Sequence, residues 1–253
     1  MLAHEGVCDE TSGRVLEGRK EKLERVMLTA RELAYSTPSF HDLANDSDLT
    51  TSMMRVLKTS ELFVHPRRFI RVGFPHSLAP SLTTALHQDY RYVQGAIDTL
   101  TAWIPLRPCG QSNGTLMLFP GTHKRGLLPV TESSGNSFSF GVSSDGLPEP
   151  VFAEVNEGDV VIFHSLTLHG ACPNCSDQVR LSMDVRFQRA DDRLCASALL
   201  PPYITPESDQ DPSVWSKDPY YRPPTQVQLI PPTGHLDVEA PSTSSLFTRW
   251  IRS

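Results

Sequence analysis

Arg180-Leu181-Ser182-Met183-Asp184-Val185-Arg186-Phe187 alternates polar and apolar side chains without a break. Successive side chains of a strand point to opposite faces, so this run reads as a half-buried β-strand whose core face is Leu181, Met183, Val185 and Phe187. Arg180, Ser182, Asp184 and Arg186 then share the other face. On an ordinary sandwich that second face meets solvent, a reading that suits Arg186. Upstream, Phe69-Ile70-Arg71-Val72-Gly73-Phe74 alternates in the same way, and strands are expected around 68–74, 83–89, 97–106, 115–119, 151–155, 159–165 and 179–189. No helical period occurs between 67 and 190. Many short strands separated by Gly, Pro and Asn turns predict a mainly β fold, a sandwich or barrel.

Outward from this core, Leu16, Leu23, Val26, Met27, Ala30, Leu33 and Ala34 recur at the spacing of one apolar helical face, which predicts a helix over 14–36. A second helix is expected over 49–60, and both should pack outside the sheets. The Ser- and Gly-rich segment 131–150 reads as a long loop of the kind that serves as a functional lid. The last 53 residues hold ten of the 21 prolines, which predicts an extended tail unable to continue a sheet. Its Trp215, Tyr220, Tyr221, Phe247 and Trp250 would lie on the barrel or on a second subunit, making a homo-oligomer. The expected division is a helical region at 1–66, a catalytic core at 67–190 and a Pro-rich segment at 191–253.

Composition narrows the function classes. Hydrophobic residues at 39% and charged residues at 21% are ordinary globular usage, which excludes fibrous and wholly disordered chains. A net charge of −6 with no long basic tract argues against nucleic acid and anionic membranes as partners. No stretch reaches the roughly 20 apolar residues of a membrane span. Met1-Leu2-Ala3-His4-Glu5 lacks the basic-then-apolar order of a secretory signal, and Ile251-Arg252-Ser253 is not a peroxisomal address. Five cysteines are too few for a disulfide framework in a chain of this size, and a cytoplasmic location is expected.

His87-Gln88-Asp89 falls at the end of an expected strand, where His87 and Asp89 project to the same side and can share a metal. A third ligand has to come from a distant strand. His169 follows Gly158-Asp159-Val160-Val161-Ile162-Phe163-His164-Ser165, a turn leading into a buried strand. Two His and one carboxylate on one face of an octahedron leave three positions open, the arrangement of non-haem Fe(II) oxygenases. Eleven residues past His169, Arg180 offers a guanidinium fork suited to a dicarboxylic co-substrate, with Asp184 on the same face as the competing partner.

The segments LHQDY at 86–90, TAWIPL at 101–106, NGTLMLFPGTHKRG at 113–126, EGDVVIFHSLTLHGACPNCS at 157–176 and VRLSMDVRF at 179–187 resemble the phytanoyl-CoA dioxygenase family of Fe(II)/2-oxoglutarate oxygenases. The resemblance covers about 67–190 and implies a double-stranded β-helix, a cupin-like jelly roll. It further implies His87, Asp89 and His169 as iron ligands, Arg180 as the anchor of the distal carboxylate of 2-oxoglutarate, and O2 as the oxidant. Trp103 matches a position lining the co-substrate pocket, with Thr101 facing inward beside it and Gln88 and Ser182 as supporting candidates. A plain core tryptophan is the alternative for Trp103. The sequence departs from the family at Ala171, where a small polar residue is usual, in the short region ahead of 67, and in the tail. The implied activity is hydroxylation of an unactivated C–H bond of a small-molecule substrate, lipid-like or a secondary metabolite, with release of succinate and CO2. Desaturation, cyclisation or halogenation on the same scaffold, and a non-catalytic cupin-like binding protein, are the alternatives. Asp89 speaks against halogenation.

Cys172-Pro173-Asn174-Cys175 can be read as a zinc or redox motif with His169, but the thiols are expected to be incidental to a turn. His123 is expected in a turn, and His164 on the strand face opposite His169, as a packed or capped side chain.

Overall fold

The computed structural model describes residues 23–79, 83–130, 141–199, 229–230 and 249–251. Three helices open it: α1 (Leu23–Ser36), α2 (Pro38–Ala44) and α3 (Ser47–Leu57). Asp46 caps α3, its carboxylate accepting from the Asp48 and Leu49 N–H groups at 3.0 Å each. The helix stops three residues earlier than 49–60 predicts, because Lys58 turns left-handed at φ 53° and returns its N–H to the Met54 carbonyl. The predicted helix over 14–36 is present from Leu23, and its start lies outside the described residues. α2 went unpredicted: with Pro38 at its first turn it is only seven residues long, too short to display a period.

The larger sheet is built on the long strand β8 (Arg180–Arg189). β1 (Leu62–Val64) and β2 (Phe69–Gly73) follow one another along one edge of it, opposite residues 187–189 and 180–184. The other edge pairs with β3 (Leu100–Pro105), then β6 (Val160–His164), then β11 (Arg249–Ile251), every pair antiparallel. A smaller antiparallel sheet has β4 (Leu116–Leu118) between β5 (Val151–Phe152) and β7 (His169–Ala171). β9 (Leu194–Cys195) and β10 (Leu229–Ile230) form a short parallel pair.

Alternation assigns the faces. Leu100, Ala102, Ile104, Ile162, Met183, Val185 and Phe187 pack against Phe40, Ala44, Leu49, Met53 and Leu57 of α2 and α3. Each fully buried side chain of this kind is worth about 1.5–3 kcal/mol, so the helices are held by the sheet. The opposite face looks toward the smaller sheet, where Trp103, Val161 and Phe163 meet Leu116 and Leu118. On that inner face Arg180, Ser182, Asp184, Arg186 and Gln188 are all buried. Arg186 is 3% exposed, which corrects its reading as a solvent-facing residue: the face that would meet water in an open sandwich is closed over here by the second sheet.

Two further expectations change. Residues 83–89 do not form a regular strand: His87 makes one isolated bridge to His169, and a 3-10 turn begins at Asp89. Turning the backbone there lets the Tyr90 N–H reach the Ser165 carbonyl. The tail does add strands: Leu229–Ile230 lies between Pro223-Pro224 and Pro231-Pro232, and Arg249–Ile251 lies past the last proline, Pro241. The remainder of the tail and the 131–140 part of the predicted lid lie outside the described residues. Beyond it, Val142 packs with Phe119 and Leu168.

Candidate metal centre

His169 sits at the start of β7 and His87 lies directly beside it, their backbones exchanging hydrogen bonds of 2.8 and 3.0 Å. So close an approach needs Gly170: a Cβ there would stand 3.0 Å from Leu86 Cδ2 and 3.1 Å from the Thr84 carbonyl. Gln88 is extended, so Asp89 returns to the side of His87. The ligand atoms of His87, Asp89 and His169 all fall within 4.8 Å of one another, and all three residues are buried. His87 Nε2 is 3.5 Å and His169 Nε2 3.8 Å from Asp89 Oδ1. Each imidazole is oriented by a carbonyl two residues back, His87 Nδ1 bonding Ala85 O at 2.8 Å and His169 Nδ1 bonding Thr167 O at 2.9 Å. With Nδ1 carrying the proton, each Nε2 is the atom that would offer a lone pair to a cation.

Electrostatics favour the ligand forms. Burial, then the proximity of His87, pulls the His169 pKa down to about 4, which keeps the ring neutral near neutral pH. Burial alone would raise the Asp89 pKa, but Arg186 and the two histidines overcome it and hold the carboxyl well below its usual range. Two imidazoles and one carboxylate match the donor set of a non-haem Fe(II) centre. Among the described residues, this is the one convergent group of three or more potential ligands. Cys172, buried, and Cys175, exposed, stand outside it.

A cleft with about 380 Å³ of empty space opens beside the two histidines, lined also by Arg71, Trp103, Phe163, Ala171, Arg180 and Asp184. Arg180 is 7% exposed; its Nε donates to the Gly114 carbonyl at 3.1 Å and its Nη1 to Ser182 Oγ at 2.6 Å. Its guanidinium carbon lies 6.0 Å from the Trp103 ring. Gly73, opposite it on β2, leaves room for the fork, since a Cβ there would come within 3.0 Å of Arg180 Nε. Asp184, the rival partner, instead accepts from Arg71 Nε at 2.7 Å and lies 3.8 Å from Arg186 Nη2. Among the described residues no carboxylate forms an ion pair with Arg180.

The other candidates divide. Trp103 is both a core residue and a cleft wall. Ser182 acts through Arg180, and Thr101 donates to Asp89 Oδ2 at 2.6 Å. Gln88 is turned away from the cleft: its amide nitrogen donates to the Gly126 and Leu166 carbonyls and its oxygen accepts from the Leu128 N–H, tying loops together. His123 lies in a 3-10 turn, and His164 is capped, its Nδ1 accepting from the Leu166 N–H at 3.0 Å. Arg71 and the role of Arg186 were missed. The only signal was a shared strand face, which acquires meaning once that face is known to be interior.

The family model for phytanoyl-CoA dioxygenase (PhyH) matches residues 15–182. The chain belongs to the phytanoyl-CoA dioxygenase family. His87, Asp89 and His169 are its Fe(II) facial triad, in an oxygenase superfamily that uses 2-oxoglutarate. The two antiparallel sheets are those of the double-stranded β-helix typical of this family. Among characterised members, 1-deoxypentalenic acid 11-beta-hydroxylase of Streptomyces arenae is 37% identical over 152 residues, 55% of this chain and 52% of that protein. Human peroxisomal phytanoyl-CoA dioxygenase is 31% identical over 113 residues, 42% of this chain and 33% of that protein. The match thus spans about half the length of the hydroxylase and a third of the human enzyme. The epimerase SnoN, solved with Fe3+, alpha ketoglutarate and nogalamycin RO, superposes with a TM-score of 0.54 at 19% identity, covering 93% of each chain. The carbocyclase SnoK from nogalamycin biosynthesis gives 0.51 at 22%, covering 72% of this chain and 82% of that one. At such identities these two speak for the fold alone.

Proposed function

We propose that the protein is an Fe(II)- and 2-oxoglutarate-dependent dioxygenase that hydroxylates an unactivated C–H bond of a small molecule. Its catalytic unit is the segment 67–190, flanked by the regions 1–66 and 191–253. The observation that carries this reading is one cleft lined by both histidines of the triad and by Arg180, a buried guanidinium with no carboxylate partner among the described residues. A buried unpaired cation is costly, and a bound dicarboxylate relieves that cost. Bound iron and 2-oxoglutarate supply the oxidising power, drawn from O2 with loss of succinate and CO2. The chain's residues do the rest. Arg180, held by Ser182 Oγ and the Gly114 carbonyl, would hold the distal carboxylate, and Trp103, Leu116 and Phe163 would keep water from the site. At Ala171 the co-substrate forgoes one hydrogen bond.

The substrate class is a lipid-like or secondary metabolite, by analogy with the 1-deoxypentalenic acid hydroxylases, which share 37% identity with the matched segment. Arg71 and Asp184 form the polar part of the wall such a molecule would meet. The test is succinate formation by the Fe(II)-loaded protein against a panel of terpenoid, polyketide and fatty acids. A panel member that stimulates succinate release several-fold and returns with one added oxygen supports the reading. Absence of any 2-oxoglutarate turnover, with or without substrates, contradicts it.

A further inference from the structure

The surroundings of Asp89 bear on how many positions a metal in this site keeps open. Asp89 Oδ2 accepts from three donors: Thr101 Oγ1 at 2.6 Å, Arg186 Nη2 at 3.0 Å and Arg186 Nε at 3.1 Å. A carboxylate oxygen has two lone pairs, so Oδ2 is saturated. Oδ1 accepts from Arg186 Nη2 at 2.9 Å and is the oxygen that faces both histidine Nε2 atoms. Arg186 and Thr101 are register partners on adjacent strands, β8 and β3, so the three donors arrive from one rigid patch of the larger sheet. All of them are buried: Thr101 is 1% and Arg186 3% exposed, which shuts out water as a substitute donor.

We propose that Arg186 and Thr101 are positioning residues that restrict Asp89 to a single-oxygen metal ligand. The inference rests on the Fe(II) reading of the triad and deepens it. The chemistry needs that restriction. Two histidines and one carboxylate oxygen take three of six octahedral positions, leaving two for a chelating 2-oxo acid and one for dioxygen. If Oδ2 also bound the metal, only two positions would remain and one of those ligands would be excluded. A carboxylate is able to bind in either mode, so the choice depends on what occupies its second oxygen. Here a guanidinium fork and a hydroxyl occupy it.

The experiment counts inner-sphere waters on Mn(II), a redox-stable substitute, by water-proton relaxation of the full chain without 2-oxoglutarate. Wild type should hold one Mn(II) with three exchangeable waters. Arg186→Met removes the three bonds that Arg186 makes to Asp89, and the water count should fall to two. Because this change strips a buried carboxylate of its charge partner, the variant is at risk of failing to fold. The double variant Thr101→Val/Arg186→Lys keeps a buried cation and nearly the same volume while leaving Oδ2 one donor at most, and it too should show two waters. Thr101→Ser combined with Arg186→Lys, which puts the hydroxyl back in the weakened background, should return three, a rescue that a purely structural role would not give. Melting temperatures taken alongside separate loss of fold from change of coordination. Three waters in either folded, Mn(II)-loaded weakened variant overturns the proposal. Failure of wild type to bind Mn(II) at the triad overturns the metal reading on which it stands.

Discussion

Arg180 and Asp184 lie on the same face of one strand, four residues apart, and the structure gives them different partners. Asp184 pairs with Arg71, which leaves the Arg180 fork aimed at the cleft. Arg180→Gln should therefore raise the KM for 2-oxoglutarate by roughly 30- to 1,000-fold, the loss of a charge-assisted bidentate contact worth about 2–4 kcal/mol, while Fe(II) still binds. A fixed KM with a lowered melting temperature would instead make Arg180 structural. Asp89→Ala removes the anionic ligand and the partner of Arg186 together. It should abolish both stoichiometric Fe(II) binding and succinate formation, and retention of iron, measured by elemental analysis, would refute the ligand assignment. His65, fully buried and bonded to Gln188, has its pKa pulled down to about 3 by burial. The unfolded chain takes up that proton near pH 6.5, so stability is full above that value and declines as pH falls below it. Denaturant unfolding at pH 7 and pH 5 should differ by roughly 2 kcal/mol from this group, and His65→Gln should flatten the difference.

At the scale of elements, the alternating run 180–187 made β8 legible and with it the face that packs on the helices, because period two depends on local geometry alone. β3 was legible for the same reason, β6 as a short apolar run after the Gly158-Asp159 turn, and the sequence alone singled out all three ligands. The fate of the polar face was not, since whether Arg186 meets water or a second sheet is decided by residues a hundred positions away. Nor was the break after His87, which depends on the pairing of Tyr90 with Ser165. The geometry of that break is sensitive to Gly170. Gly170→Ala should push the 84–87 segment off β7, separate His87 from His169 and weaken Fe(II) binding by roughly tenfold, as losses in ligand support commonly do. Unaltered affinity in a metal titration would show that the segment yields without moving the ligand. By contrast, Cys172→Ser with Cys175→Ser should leave the iron content near wild type, because the turn they occupy contributes no metal ligand among the described residues. Loss of metal from that variant would revive the zinc reading.

At the scale of the molecule, the helices and the smaller sheet cover opposite faces of the larger sheet, so the iron site is enclosed between sheets while α2 and α3 pack apolar side chains on the outer face. Among the described residues no helix is long and apolar enough to cross a membrane. The match to the deoxypentalenic acid hydroxylase spans about half of that protein. The proposed activity requires one site to receive iron and 2-oxoglutarate together. Anaerobic addition of Fe(II) and then 2-oxoglutarate to the full chain, followed by visible absorption, tests this most directly. A weak charge-transfer band that saturates at one equivalent of each, and is absent from Asp89→Ala, is the predicted result. Stoichiometric Fe(II) binding with no band at any 2-oxoglutarate concentration would contradict it.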